Sequence, residues 1–231
     1  ANGSEIEADR VVSDAAVWNL YGKLVRPEHI NPKRMKWAQD LVPCHRNLML
    51  YIGADAKAIP DDACPMEIII EDPTKVDGHG ITVYIPTLID PSVSPPGTCS
   101  LTIDAVSTLK WPRPGDPEYQ SEEYKQMKER ETEKVLDRLK SRFPNLRKHI
   151  KTMEIGTPST IERYTLKNWG NIGGPKQMLG QDMMKRPKAR TDWKNLYMVG
   201  DSTVMGLGVL PATTSAVGAA NMVLKDVGMK G

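Results

Sequence analysis

The stretch "NLYMVGDSTVMGLGVLPATTSAVGAAN", residues 195–221, constrains this chain more than any other. Leu196, Tyr197, Met198 and Val199 form an unbroken apolar run, which predicts a strand buried on both faces. Gly200 allows close backbone approach, and Asp201 falls at the carboxyl end of the strand, where open α/β sheets place their ligands. A carboxylate there accepts hydrogen bonds from sugar-like hydroxyls. Gly206 and Gly208 permit backbone conformations closed to other residues and leave room for a flat ring. Pro211 suits the first turn of a helix running through Thr213, Ala216, Ala220 and Leu224. The free amides at its start stabilise negative charge on a bound group, such as the pyrimidine edge of a reduced flavin. A nucleotide-like cofactor explains this order of elements; so does any buried strand that ends in Gly-Asp and enters an alanine-rich helix.

The chain opens with "ANGSEIEADRVVSDA". Asn2-Gly3 is a tight-turn signal, residues 5–8 alternate like a strand, and Val11-Val12 reads as a short buried run. This is the far arm of a hairpin whose first arm is missing, so the sequence reads as cut from something longer. The middle differs in kind. Residues 47–52, 66–71, 81–87 and 99–108 are β-rich and separated by Pro, Gly and Asp clusters, with Leu101, Ile103 and Ala105 alternating against polar partners. Strands spaced so closely predict a largely antiparallel sheet. A helix follows, with Asp116 as N-cap, Pro117 in its first turn and Pro144 as its end; Tyr124, Met127, Val135, Leu139 and Phe143 keep to one face. The expected fold class is α/β with an α+β insertion. An incomplete Rossmann-like domain (residues 1–16 and 167–231) brackets a mostly antiparallel domain (residues 17–166).

With 39% hydrophobic and 26% charged residues, the chain is globular rather than disordered. Thirty-one basic against 29 acidic residues give no bulk case for nucleic acid. Cys44, Cys64 and Cys99 lack metal-ligand spacing, so no metal site is expected and a reduced, cytoplasmic setting is. No apolar run approaches the ~20 residues of a membrane span.

Four stretches, in order, carry a resemblance. The terminal segment is similar to the carboxy-terminal flavin-binding segment of the phytoene desaturase-like flavoproteins, which include carotenoid isomerases and retinol saturase. The opening "ANGSEIEADRVVSDA" resembles that family's hairpin and strand before the substrate domain. "ITVYIPTLIDPSVSPPGTCSLTIDAVS" resembles its Asp-Pro-Ser-x-x-Pro-x-Gly loop between strands, and "LKSRFPNLRKHIKTMEIGTPSTIERYT" its helix end and Thr-Pro-x-Thr stretch. The resemblance implies an FAD enzyme that moves hydride and proton equivalents across carbon–carbon bonds of a long apolar, polyene-like substrate, by desaturation, saturation or isomerisation. It places Gly200 and Asp201 at the ribityl and pyrophosphate region, and Gly208, Val209 and Leu210 at the isoalloxazine edge, with Ser202, Gly206 and Thr213 in the same cofactor-binding set. The family's amino-terminal G-x-G-x-x-G turn is absent. An amino-terminal half carrying it is therefore the implied partner, in trans or from the same precursor.

The remaining candidates read more plainly. His45, His79 and His149 sit in polar settings and read as surface residues; no catalytic acid or base can be named. "KRPKAR", residues 185–190, reads as a solvated loop. Lys23, Arg26, Lys33, Arg34 and Lys36, interleaved with Trp18, Tyr21 and Trp37, are compatible with peripheral contact to an anionic membrane. "NWGNIGGP", residues 168–175, is a flexible loop by composition whose place before the terminal strand sets it near the flavin. Two rival classes remain: a non-catalytic flavoprotein-like scaffold subunit, and an NAD-dependent α/β enzyme, against which the missing glycine-rich turn argues.

Overall fold

A computed structural model describes residues 3–70, 72–75 and 80–229. Asn2 of the expected opening turn, Glu71 at the end of an expected strand, and His79 lie outside them. In chain order the main elements are β1 (Val11–Ser13), α1 (Val17–Asn19, continuing as a π turn over Leu20–Leu24), α2 (Pro32–Asp40), β2 (Asn47–Asp55), β3 (Met66–Ile69), β4 (Ile81–Tyr84), β5 (Thr98–Val106), α3 (Glu122–Leu139), α4 (Leu146–His149), β6 (Ile150–Gly156), α5 (Pro158–Thr165), β7 (Leu196–Met198) and α6 (Val209–Asp226). The chain divides into two compact units, residues 1–44 with 171–231, and residues 45–170. The sequence division stood at 16 and 166.

The unit of residues 45–170 is built on a five-stranded antiparallel sheet in the order β3-β4-β5-β2-β6. The alternation in β5 does what a half-buried strand requires. Cys99, Leu101, Ile103 and Ala105 are buried, and they share their face with Leu48, Leu50, Ile52 and Ala54 of β2 and with Ile81 and Val83 of β4. Tyr124, Val135, Leu136 and Leu139 of α3, with Phe143 and Leu146, close that core. Arg142 ties α3's end to the sheet through two bonds to the Glu67 carboxylate, both 2.8 Å, and two to Asp62, at 2.9 Å to its carboxylate and 3.1 Å to its carbonyl.

One expectation is corrected in this unit, and one strand was not expected. The helix starts at Glu122, not near Asp116, because Gln120 takes a left-handed backbone (φ 64) that no helix continues through. Ser121 caps it by accepting from the Tyr124 amide at 3.2 Å, while the Asp116 carboxylate closes a separate turn on the Arg113 amide at 2.7 Å. Strand β6 also escapes the sequence pattern. The pairing slips between Gly53 and Ala54, so Thr152 and Ile150 face consecutive β2 residues and Lys151 is the extra one. That bulge spaces Ile150, Met153 and Ile155 unevenly and hides the strand period.

In the other unit β1 and β7 form a two-stranded parallel sheet, with Val11 opposite Leu196 and Ser13 opposite Met198. Val17, Trp18, Leu20, Tyr21, Ile30, Ala38, Leu41 and Met198 share one core. This packing joins residues 17–44 to the terminal strand. Trp18 and Tyr21 are each 2% exposed, so two of the rings that membrane contact would need are turned inward. Arg34 lies 3.9 Å over the Trp37 ring and binds Asp192 at 2.9 Å. Residues 5–8 form no strand, Ile6 is exposed, and Val11 and Val12 are half exposed, since no described strand pairs with residues 5–8 and none but β7 pairs with β1. Asp226 staples α6 to β7: Arg190 donates to both its oxygens, at 2.6 and 2.7 Å, and the Tyr197 hydroxyl donates to it.

Leu50→Ala, at the centre of β2, is expected to cost about 2–5 kcal/mol, while Tyr51→Ala on the opposite face costs less than about 1 kcal/mol. Equal urea midpoints for the two variants would contradict the assignment of faces. The bonds from Arg190 and Tyr197 hold the Asp226 carboxyl far below the usual carboxylate range. A depressed folded-state pKa contributes stability above about pH 4 that is lost as pH falls toward the folded value. Asp226→Asn should therefore lower the Tm at pH 7, and the deficit should shrink as the pH falls below about 4.

Candidate functional site

The site lies in the unit of residues 1–44 and 171–231 and is assembled from the loop between β7 and α6. The Val199 amide extends the parallel pairing by donating to the Ser13 carbonyl at 2.9 Å. The chain then turns at Gly200, whose φ of 89 only glycine adopts without strain. The Gly200 amide donates to the Ser215 hydroxyl on α6 at 3.2 Å, and Thr203 bridges Gly200 and Ser215 with two contacts of 2.8 Å. These bonds fix the loop to the second turn of the helix.

Gly208 caps α6 with φ 114 and supplies no side-chain cap, and no side chain among the described residues is seen to bond the first-turn amides. Pro211 stands in that first turn, as expected. Around it the surface is apolar and open: Leu207, Val209 and Leu210 are 50%, 87% and 77% exposed. The arrangement offers unspent amides and the positive end of an 18-residue helix beside exposed aliphatic groups. Such a surface can stabilise negative charge on one edge of a flat apolar ring.

A second loop meets this one. A Cβ added at Gly173 would lie 2.7 Å from Leu207 Cβ, and one at Gly174 would lie 2.6 Å from the Asp201 carbonyl oxygen. Residues 171–175 thus rest on the segment between β7 and α6, as their place in the sequence suggests. Gln181 anchors the same loop, accepting from the Val42 amide at 2.9 Å and donating to the Val42 and Lys176 carbonyls at 2.8 Å each.

The residue that joins the two loops is one sequence reasoning missed. Arg186, within the charged run read as solvated, is 2% exposed. Its Nε donates to the Thr203 carbonyl at 2.8 Å, and its two Nη atoms donate to the carbonyls of Pro175 and Asp201. Burial pushes the guanidinium pKa down, although the nearby Asp201 charge opposes this. The proline after Arg186, which interrupts the run, is buried with it and was the available signal.

The sequence-derived residues fall into two groups. Gly200, Gly206 and Gly208 all have positive φ, and Gly208, Val209 and Leu210 share the open end of α6. Asp201 is half-buried at the strand's end. The side chain of Ser202 is buried, and its oxygen accepts from the Val17 amide at 3.2 Å. The Thr213 hydroxyl donates to the Val209 carbonyl at 2.8 Å.

No protein-family model matches the chain. It is 30% identical to the prolycopene isomerase of Arabidopsis thaliana over 235 residues, covering 100% of this chain and 39% of that protein. It is 26% identical to a lycopene-forming phytoene desaturase of Pseudescherichia vulneris, covering 98% of this chain and 47% of that one. The fold is shared with an oxidoreductase from Methanosarcina mazei at a TM-score of 0.58 and 16% identity, over 95% of this chain and 44% of that one. The chain spans less than half the length of these curated relatives, and it is a homologue of the prolycopene isomerases and phytoene desaturases.

Proposed function

We propose that this chain is the carboxy-terminal part of an FAD-dependent oxidoreductase acting on carbon–carbon bonds of a long apolar, polyene-like substrate, by desaturation, saturation or isomerisation. The observation that carries the reading is the uncapped start of α6 at Gly208, framed by Leu207, Val209 and Leu210. Its amides suit the electron-rich edge of an isoalloxazine, and its aliphatic groups suit the ring. The names of the relatives, prolycopene isomerase and phytoene desaturase, support the substrate class.

When bound, the flavin supplies the redox chemistry, and the protein's part is to orient substrate and exclude water. On this reading Gly200 and Asp201 face the ribityl and pyrophosphate region, while Gly208, Val209 and Leu210 face the ring edge. Ser202, Gly206 and Thr213 complete the cofactor set, the first by holding the loop to Val17. Residues 1–44 and 171–231 form the cofactor part, an incomplete Rossmann-like domain, and residues 45–170 the substrate part. An amino-terminal half with a glycine-rich turn completes the cofactor domain, in trans or from the same precursor. The half-exposed Val11 and Val12, and an apolar groove of about 350 Å³ lined by Val11, Leu20, Leu24, Val25 and Leu196, are surfaces that such a half would cover.

The complete protein should purify with a flavin spectrum, and a colourless protein that still assembles would favour the scaffold reading instead. Asp201→Ala should weaken FAD retention about 10–100-fold, the worth of one charged hydrogen bond. Gly208→Val should abolish retention, while Gly115→Val should not. Both glycines have positive φ, 114 and 101, and Gly115 has open space around it, so backbone strain is common to both and the difference reports the site. Titrated alone with FAD, the chain should bind weakly; tight stoichiometric binding without a partner half would overturn the requirement for one.

A further inference from the structure

The sheet of residues 45–170 has a second face, opposite the core. Along it Tyr51, Met66, Ile68 and Tyr84 are 49%, 51%, 57% and 40% exposed. The register sets Met66, Tyr84, Thr102 and Tyr51 in one row, and Ile68, Thr82, Asp104 and Met49 in the next. A carboxyl group therefore stands in the middle of an aliphatic, aromatic and threonine-rich surface. The other carboxylate in these rows, Glu154, lies on the edge strand β6 opposite Tyr51 and is exposed.

Asp104 is a poor choice for a central strand on structural grounds. Aspartate is depleted in strands, and a carboxyl among apolar neighbours loses hydration. Its oxygen accepts from Nδ2 of Asn47, which lies on the same face. Asn47 is 8% exposed, and its Oδ1 has no hydrogen-bond partner among the described residues. Burial raises the Asp104 pKa, against the bond from Asn47 and the charge of His45, which lower it. The two residues thus gather a half-buried carboxyl and an unsatisfied amide oxygen at one spot. Buried polar atoms are usually satisfied, so an orphaned one beside a half-buried carboxyl is a spot where a bound group can pair.

We infer that Asp104 and Asn47 form a polar subsite on this sheet face for a hydroxyl group carried by an otherwise apolar ligand, whose hydrocarbon lies along Tyr51, Tyr84, Met66 and Ile68. A hydroxyl pairs here by donating its hydrogen to the orphaned Asn47 Oδ1 or to the carboxyl of Asp104, whereas a bare hydrocarbon leaves the amide oxygen unpaired. The inference rests on the reading of an apolar substrate and adds that the substrate is oxygenated.

The test uses the complete protein and two polyenes with the same conjugated chain, one a hydrocarbon and one with a terminal hydroxyl. Binding is read from the shift of polyene absorbance, and flavin content is measured in parallel. The hydroxylated polyene should bind about tenfold more tightly, the worth of one or two neutral hydrogen bonds. Asp104→Thr should reduce that preference to less than about twofold, with flavin content unchanged, while Asp104→Asn should keep most of it. No preference in the unaltered protein overturns the inference, as does a preference that survives Asp104→Thr. The unaltered protein decides the matter even where the threonine variant fails to fold. Absence of flavin from every preparation would instead count against the cofactor reading.

Discussion

A buried guanidinium organises the terminal half of this molecule. Arg186 sits where three carbonyl oxygens, from Pro175, Asp201 and Thr203, turn toward one point. Burying a cation costs several kcal/mol unless its donors are met, and converging carbonyls repel one another unless a donor stands between them. Each side of the arrangement needs the other. The consequence is geometric: loop 171–175 has to lie within contact of the loop after β7, and at that distance only glycine fits at positions 173 and 174. The bonds among Gly200, Thr203 and Ser215 carry the constraint on to α6, so the direction in which the helix presents its open end follows from a residue that lies before the strand.

Much of this was legible in the chain before any coordinates. Gly200, Gly206 and Gly208 announce a backbone that other residues cannot follow, and all three have positive φ. The alternation of Leu101, Ile103 and Ala105 announces a half-buried strand, and that strand is the middle of the sheet. These are local signals, set by the chirality and pleat of a few consecutive residues. What escaped depends on partners far away in sequence. The burial of Arg186 is decided by carbonyls of residues 11 to 17 positions distant, and nothing in "KRPKAR" records them. The parallel pairing of β1 with β7 joins residues 185 apart. The bulge in β6 is a property of its register with β2, so the sequence period alone could not show it.

The two units also differ in how they meet their hydrophobic requirements. Residues 45–170 bury a core between one sheet face and α3, and the bidentate clamp of Arg142 on Glu67 holds the end of α3 against the edge strand β3. Among the described residues, 1–44 and 171–231 hold two three-residue strands, and their core depends on Trp18, Leu20, Tyr21 and Ile30 folded against Met198. Two strands do not make an independently stable sheet in water. The stability of this unit therefore comes from its helices, its aromatic residues and its ion pairs, and the sheet mainly aims the loop that follows it.

That division bears on how related sequences reach different reactions. An open helix end favours negative charge on a bound ring whether electrons are entering or leaving it, and whether the net reaction is an oxidation or none. On the proposed reading, the geometry around Arg186 and Gly208 is consequently indifferent to the direction of chemistry. Selection among desaturation, saturation and isomerisation, on the proposed reading, has to come from groups that meet the substrate, and those differ in kind from the groups that hold a cofactor: they need to read length, shape and polar substituents along an apolar chain. On the same reading, the open sheet face, where Asp104 interrupts Met49, Thr82 and Thr102, is a surface of that second kind. A carboxyl placed there costs hydration energy and contributes nothing to the core on the other side of the sheet. On the proposed reading its contribution is discrimination, which acts on the ligand and leaves the cofactor's environment unchanged.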